Sequence, residues 1–131
     1  MSYMRKILLI SNGNSIHTIK WVKELQNNYK IFLFDWRPVD QANYNNLNNV
    51  IIVSNSNSFS NKILFFSFIV SFFKLKKIAK NIFPDIIHSH YATSYGLLGT
   101  RAKNFKLITS VWGSDITDFP NKSWFHKFFL K

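Results

Sequence analysis

The sequence predicts an α/β fold: an open parallel sheet of about five strands with helices on both faces. Three observations predict it. Short, continuously apolar runs alternate with longer segments of helical period. The runs lack in–out alternation, so they suit strands covered on both sides. Proline and small polar residues separate the segments, giving the order β-α-β, a loop, then β-α-β-α-β-α.

Residues 6–11 form the first strand, with Ile7, Leu8, Leu9 and Ile10 in one apolar run. Asn12, Gly13, Asn14 and Ser15 make the turn, and Ser15 is placed to cap the next helix. That helix runs to about residue 27, with Ile16, Ile19, Val22 and Leu25 as its buried stripe. Residues 30–34 are the second strand, closed by Asp35 to Pro38. The Asn-rich residues 39–49 read as a loop, residues 50–53 as the third strand, and 54–60 as a second polar loop.

The longest helix covers residues 61–81. It is apolar from Ile63 to Phe73 and then basic, with Lys74, Lys76, Lys77 and Lys80. Its apolar part is shorter than the ~20 residues of a membrane span. Two readings stand: a helix buried against the sheet, or an interfacial helix with phenylalanines in lipid and lysines on anionic head groups. Pro84 breaks it. Residues 85–89 are the fourth strand. Residues 92–103 are helical, with Thr93 or Ser94 as cap, and 106–111 are the fifth strand. Residues 123–131 begin another amphipathic helix.

With 131 residues and 47% hydrophobic content the chain supports one domain with a real core. There is no cysteine, so disulfides and thiolate metal sites are excluded. The apolar start of the chain is too short for a signal peptide, so a cytoplasmic location is expected. The net charge is +11, from 17 Lys and Arg against 6 Asp and Glu. Nucleic acid is not expected, because no recognition motif accompanies the charge. An anionic membrane surface remains compatible with it.

In such a sheet ligands bind at the carboxyl ends of the strands. Strands one and four would be neighbours at the switch point. Three polar turns would then converge: Asn12 to Ser15, His88 to Tyr91, and Trp112 to Asp115. Gly13 offers backbone N–H groups at a helix start, or serves a tight turn. One glycine is not a dinucleotide or P-loop fingerprint, so no cofactor is expected. His17 lies in the first helical turn. His88 and His90 share one face of their strand, yet no third ligand accompanies them, so no metal is expected. His90 is expected to reach the crevice, with His88 packed beneath. Trp112 can stack on a sugar face, and Gly113 permits close approach. Asp115 either accepts a hydroxyl proton or caps the following turn. No nucleophilic Ser–His–Asp set is evident.

The run D-I-I-H-S-H-Y-A-T-S-Y-G at 85–96, followed by S-V-W-G-S-D-I at 110–116, resembles the amino-terminal domain of family 4 glycosyltransferases. The opening K-I-L-L-I-S-N-G-N-S-I-H-T-I-K-W-V-K-E-L is similar to the first strand and helix of the same enzymes. The resemblance implies a Rossmann-like domain, one half of the two-domain GT-B architecture. It implies retaining transfer of a sugar from a nucleotide-sugar donor to a surface polysaccharide or lipid-linked glycan. It makes His90 and Asp115 candidate catalytic residues, and Gly13, His17, Trp112 and Gly113 candidate substrate-binding residues. Many family members carry histidine where this chain has Trp112, which puts that residue's role in a tryptophan subgroup. In these enzymes a second domain holds the donor with paired glutamates. Glu24 is the chain's single glutamate, so the 131 residues are expected to be the acceptor-side domain and to be inactive alone. The alternative is a non-catalytic module, half of a split transferase, that binds a membrane or a partner chain.

Overall fold

The computed structural model of the chain describes residues 3–53 and 61–112. Five strands form a single parallel sheet: β1 (Lys6–Ile10), β2 (Lys30–Phe34), β3 (Val50–Ile52), β4 (Ile86–His90) and β5 (Leu107–Ser110). Three α-helices connect them: α1 (Ile16–Leu25), α2 (Asn61–Ile82) and α3 (Ser94–Gly99). The strand order is β3-β2-β1-β4-β5. The chain leaves β1 toward β2 on one side and returns to β4 on the other. The switch point therefore lies between β1 and β4, as the sequence predicts. The expected helix at 123–131 falls outside the described residues.

The pleat divides the apolar strand residues between two cores. On one face Leu8, Ile10, Phe34 and Ile87 pack under Leu75 and Ala79 of α2 and Tyr95 and Leu98 of α3. On the other, Ile7, Leu9, Ile31 and Leu33 pack under Val22 of α1. Each large aliphatic side chain so buried contributes about 1.5–3 kcal/mol. That two-sided burial is why β1 and β2 read as nearly unbroken apolar runs.

Four details depart from the expectations. Ile16 is 64% exposed, and α1 instead buries Thr18 and Val22 with Ile19 and Leu25 beside them. Ile16 is the first helical residue. Ser15 occupies the N-cap position without a side-chain cap hydrogen bond. α3 is half the expected length. Tyr91, at φ 69°, and Thr93 hold the approach as a turn, and after Gly99 the N–H groups of Arg101 and Ala102 bond three residues back. The Asn-rich loop keeps most of its asparagines exposed but carries a short turn of its own. A 3₁₀ turn at Gln41–Asn43, capped by Asp40, brings Tyr44 into the core.

α2 is stopped by Phe83, which adopts φ 52° and donates its N–H to the Ala79 carbonyl. A left-handed residue at that place ends a helix, usually as glycine, and Pro84 forbids continuation.

Candidate functional site

Two polar clusters occupy the carboxyl end of the sheet. The first surrounds Asp35, the residue after β2. Its side chain is fully buried. One carboxylate oxygen accepts from the Gly13 N–H at 2.9 Å. The other accepts from the Arg37 N–H and the Tyr95 hydroxyl, both at 3.0 Å. Arg37 Nη2 donates to the Tyr95 oxygen at 2.6 Å, and its Nε lies 3.6 Å from Asp35. Burial raises the Asp35 carboxyl above its ordinary range, against the N–H groups of Arg37 and Gly13 and the guanidinium, which favour the charge. Burial, and then the carboxylate, push Tyr44 up to about 12. Tyr95 is raised by the same two causes.

This cluster revises the reading of Gly13. No glycine among the described residues has a positive φ, so its backbone needs no special freedom. A Cβ there would lie 2.6 Å from Val39 Cγ2, so close packing requires glycine. Its N–H is committed to Asp35, and its carbonyl accepts from the Tyr44 hydroxyl. The amide at this position is therefore not open to a ligand.

The second cluster lies over β4, on the face that α1 covers. His88 and His90 project from alternate residues, their rings 4.9 Å apart. The Trp21 ring meets both edge-on, at 5.2 and 5.4 Å. Trp112 follows β5 and lies 5.2 Å from His17, 6.1 Å from His90 and 6.2 Å from Tyr91. His17 and Trp21 are four residues apart on α1, so one helical face presents both. His88 Nε2 is 2.8 Å from Ser110 Oγ. His90 Nδ1 is 2.9 Å from Ser11 Oγ, which in turn is 2.7 Å from Thr18 Oγ1. His90 Nε2 is buried and has no hydrogen-bond partner among the described residues.

His90 is only 1% exposed, so it forms the floor of the cluster instead of reaching into open crevice. Trp21 and Trp112 pack over it. Burial, and then His88 and His17, lower its pKa to about 4. Burial lowers His88 as well. Both imidazoles are thus neutral near pH 7. Among the described residues no group of three or more His, Asp or Glu is placed to hold a metal ion.

Tyr91 carries the backbone strain of this region. Its φ of 69° is unusual for an aromatic residue, and its N–H is fixed to the Ser110 carbonyl at 2.9 Å. A Cβ at residue 96 would lie 2.8 Å from the Tyr91 carbonyl oxygen, so Gly96 admits this turn. Strained residues concentrate where a site requires them.

Of the predicted site residues, the structure gathers His17, His90 and Trp112. Gly13 belongs to the neighbouring Asp35 cluster. Gly113 and Asp115 lie outside the described residues. Sequence reasoning missed Ser11 and Trp21 in one cluster, and Asp35, Arg37 and Tyr95 in the other. The i, i+4 pairing of His17 with Trp21 was a usable signal for the first. The place of Asp35 at a strand end was one for the second.

The family model described as glycosyl transferase 4-like matches residues 6–131. No curated protein matches the chain.

Proposed function

Since the chain belongs to the glycosyl transferase 4-like family, we propose that it is the acceptor-side, amino-terminal domain of a retaining glycosyltransferase. The observation that carries this reading is the convergence of His17, His90 and Trp112 at the β1–β4 switch point. Indole and imidazole rings there offer flat apolar surface for a sugar face, and polar edges for its hydroxyls. The donor is a nucleotide sugar, and the acceptor is a surface polysaccharide or a lipid-linked glycan. In the transfer the anomeric carbon leaves the nucleoside diphosphate and bonds to an acceptor hydroxyl oxygen, which loses its proton.

The residues take distinct parts in this reading. Trp112 and His17 receive the sugar ring. His90 is too weak a base to hold a proton near pH 7, so it acts as a neutral hydrogen-bonding partner through Nε2. Asp115 receives the acceptor's proton, and Gly113 lets substrate approach the backbone. Gly13 sets the turn against Asp35 and shapes the crevice wall. A second domain supplies the donor site and its basic residues, and the enzyme works in the cytoplasm.

The test has two arms. The isolated chain is expected to bind acceptor glycans and not to turn over a labelled nucleotide sugar. Robust turnover by residues 1–131 alone would refute the two-domain part. Trp112→Ala is expected to weaken glycan binding about tenfold, a cost of about 1.4 kcal/mol, read by calorimetry. Unchanged affinity would remove the site assignment.

A further inference from the structure

α2 has two faces, and only one of them is used by the fold. Leu75, Ala79 and Ser71 are fully buried, and Phe68, Phe72, Ile78 and Ile82 pack on the core beside them. The opposite face carries Phe65, Phe66 and Phe73, which are 67%, 66% and 68% exposed, with Val70 between them. Continuing along this outward stripe at helical spacing are Lys76, Lys77 and Lys80, all exposed. No acidic residue occurs anywhere in the helix.

The helix is held in this orientation. Ser67 donates to the Trp36 carbonyl at 2.6 Å, and Phe68 meets the Trp36 ring edge-on at 5.5 Å. The exposed phenylalanines therefore belong to an anchored element. At the other end of the stripe Lys76 and Lys80 line a cavity with Arg101, Lys103, Asn104 and Phe105. Four cations border it, with no carboxylate. The Arg101 guanidinium lies 4.4 Å over the Phe72 ring. Its buried Nε has no hydrogen-bond partner among the described residues.

We infer that this face docks on an anionic lipid bilayer. Phe65, Phe66 and Phe73 enter the interfacial layer, and the Lys76, Lys80, Arg101 and Lys103 cavity receives a phosphate head group. Charge complementarity selects this occupant. A second copy of a chain with net charge +11 would set these lysines against one another. A bilayer supplies both an apolar layer and a dense sheet of phosphate anions. Among the described residues no helix is long and apolar enough to cross a membrane, so the contact is in-plane. The inference is independent of sugar transfer, because the His17–His90–Trp112 cluster lies on the opposite side of the sheet.

The experiment is flotation of the full chain with two vesicle types: pure phosphatidylcholine, and phosphatidylcholine with a one-third share of phosphatidylglycerol. Binding to the anionic vesicles alone is expected. Replacing Phe65, Phe66 and Phe73 together with Ser lowers the partition coefficient about tenfold or more. Lys76→Gln and Lys80→Gln each lower it about fivefold, while Lys76→Arg and Lys80→Arg preserve it. Equal binding to both vesicle types, or wild-type partition in the Ser and Gln variants, would overturn the inference. So would a concentration-dependent dimer in sedimentation that the Ser variants abolish, since that assigns the face to a second copy. Vesicle binding without glycan binding would remove the proposed sugar site and leave this one standing.

Discussion

The two polar clusters at the carboxyl end of the sheet differ in how their buried groups are partnered. Around Asp35 both carboxylate oxygens have donors, and Arg37, Tyr95 and Gly13 are drawn into one network. Around His90 one ring nitrogen is paired with Ser11, and the other is buried with no partner among the described residues. In the Asp35 network Arg37 Nε makes no hydrogen bond among the described residues but lies 3.6 Å from the carboxylate, and a network paired in this way holds structure together. A buried polar atom without a partner costs stability unless something else uses it. The contrast supports an architectural part for the Asp35 cluster and is the reason the proposed site is placed at the His90 cluster, although both sit where an α/β sheet binds ligands.

The sharpest way to break this comparison is Asp35→Ala. It leaves Arg37 and Tyr95 without their buried partner and the Gly13 N–H without an acceptor. The expected loss is about 3 kcal/mol or more, measured by urea denaturation. A change near zero would mean that the network is not structural.

A pH titration of stability probes the other cluster. Folded His90 takes up its proton only near pH 4, against an ordinary value of 6.5. The stability it contributes is complete above the ordinary value and is lost as pH falls toward the folded one. Between about pH 7.5 and about pH 5 the expected loss is about 1–2 kcal/mol, the lower figure allowing for solvent screening. His88 is shifted in the same direction and adds to the slope. His90→Asn should flatten the profile. A wild-type profile that is already flat would remove the buried, neutral imidazole from the account.

The smallest expected effect on stability is the most diagnostic for function. His17 is exposed, so His17→Ala should change unfolding free energy by no more than about 0.5 kcal/mol. Glycan binding should nonetheless weaken at least about threefold, since His17 packs on Trp112. Loss of stability without loss of binding would place His17 with the structural residues.

β1 and β2 were legible because burial on both faces leaves an apolar run, and β4 and β5 because proline and polar turns bound short apolar stretches. β1 and β2 fall where the pattern puts them, and β4 and β5 fall within a residue or so. The alternation of strand and helix made the parallel sheet legible, and the β1–β4 adjacency expected of one doubly wound order is the one observed. α3 was less so. Its period continues to residue 103, but Tyr91, Gly96 and Gly99 are fixed by contacts with β4 and β5 that periodicity cannot register. Gly13 was misread for a similar reason. Its need is the closeness of Val39, 26 positions away in sequence, and not its own dihedral angles.

Local patterning by itself determined the class of fold, the order of elements and the set of strand-end turns from which a site could be built. Apolar period and turn residues act over a few positions, so they are written in neighbouring letters. Only the packed molecule decided which polar groups found partners: that both Asp35 oxygens would have donors, that His90 would be roofed by Trp21 and Trp112, and that α2 would turn three of its five phenylalanines outward. Those outcomes depend on distances between residues tens of positions apart, and such distances exist only once the chain has closed on itself.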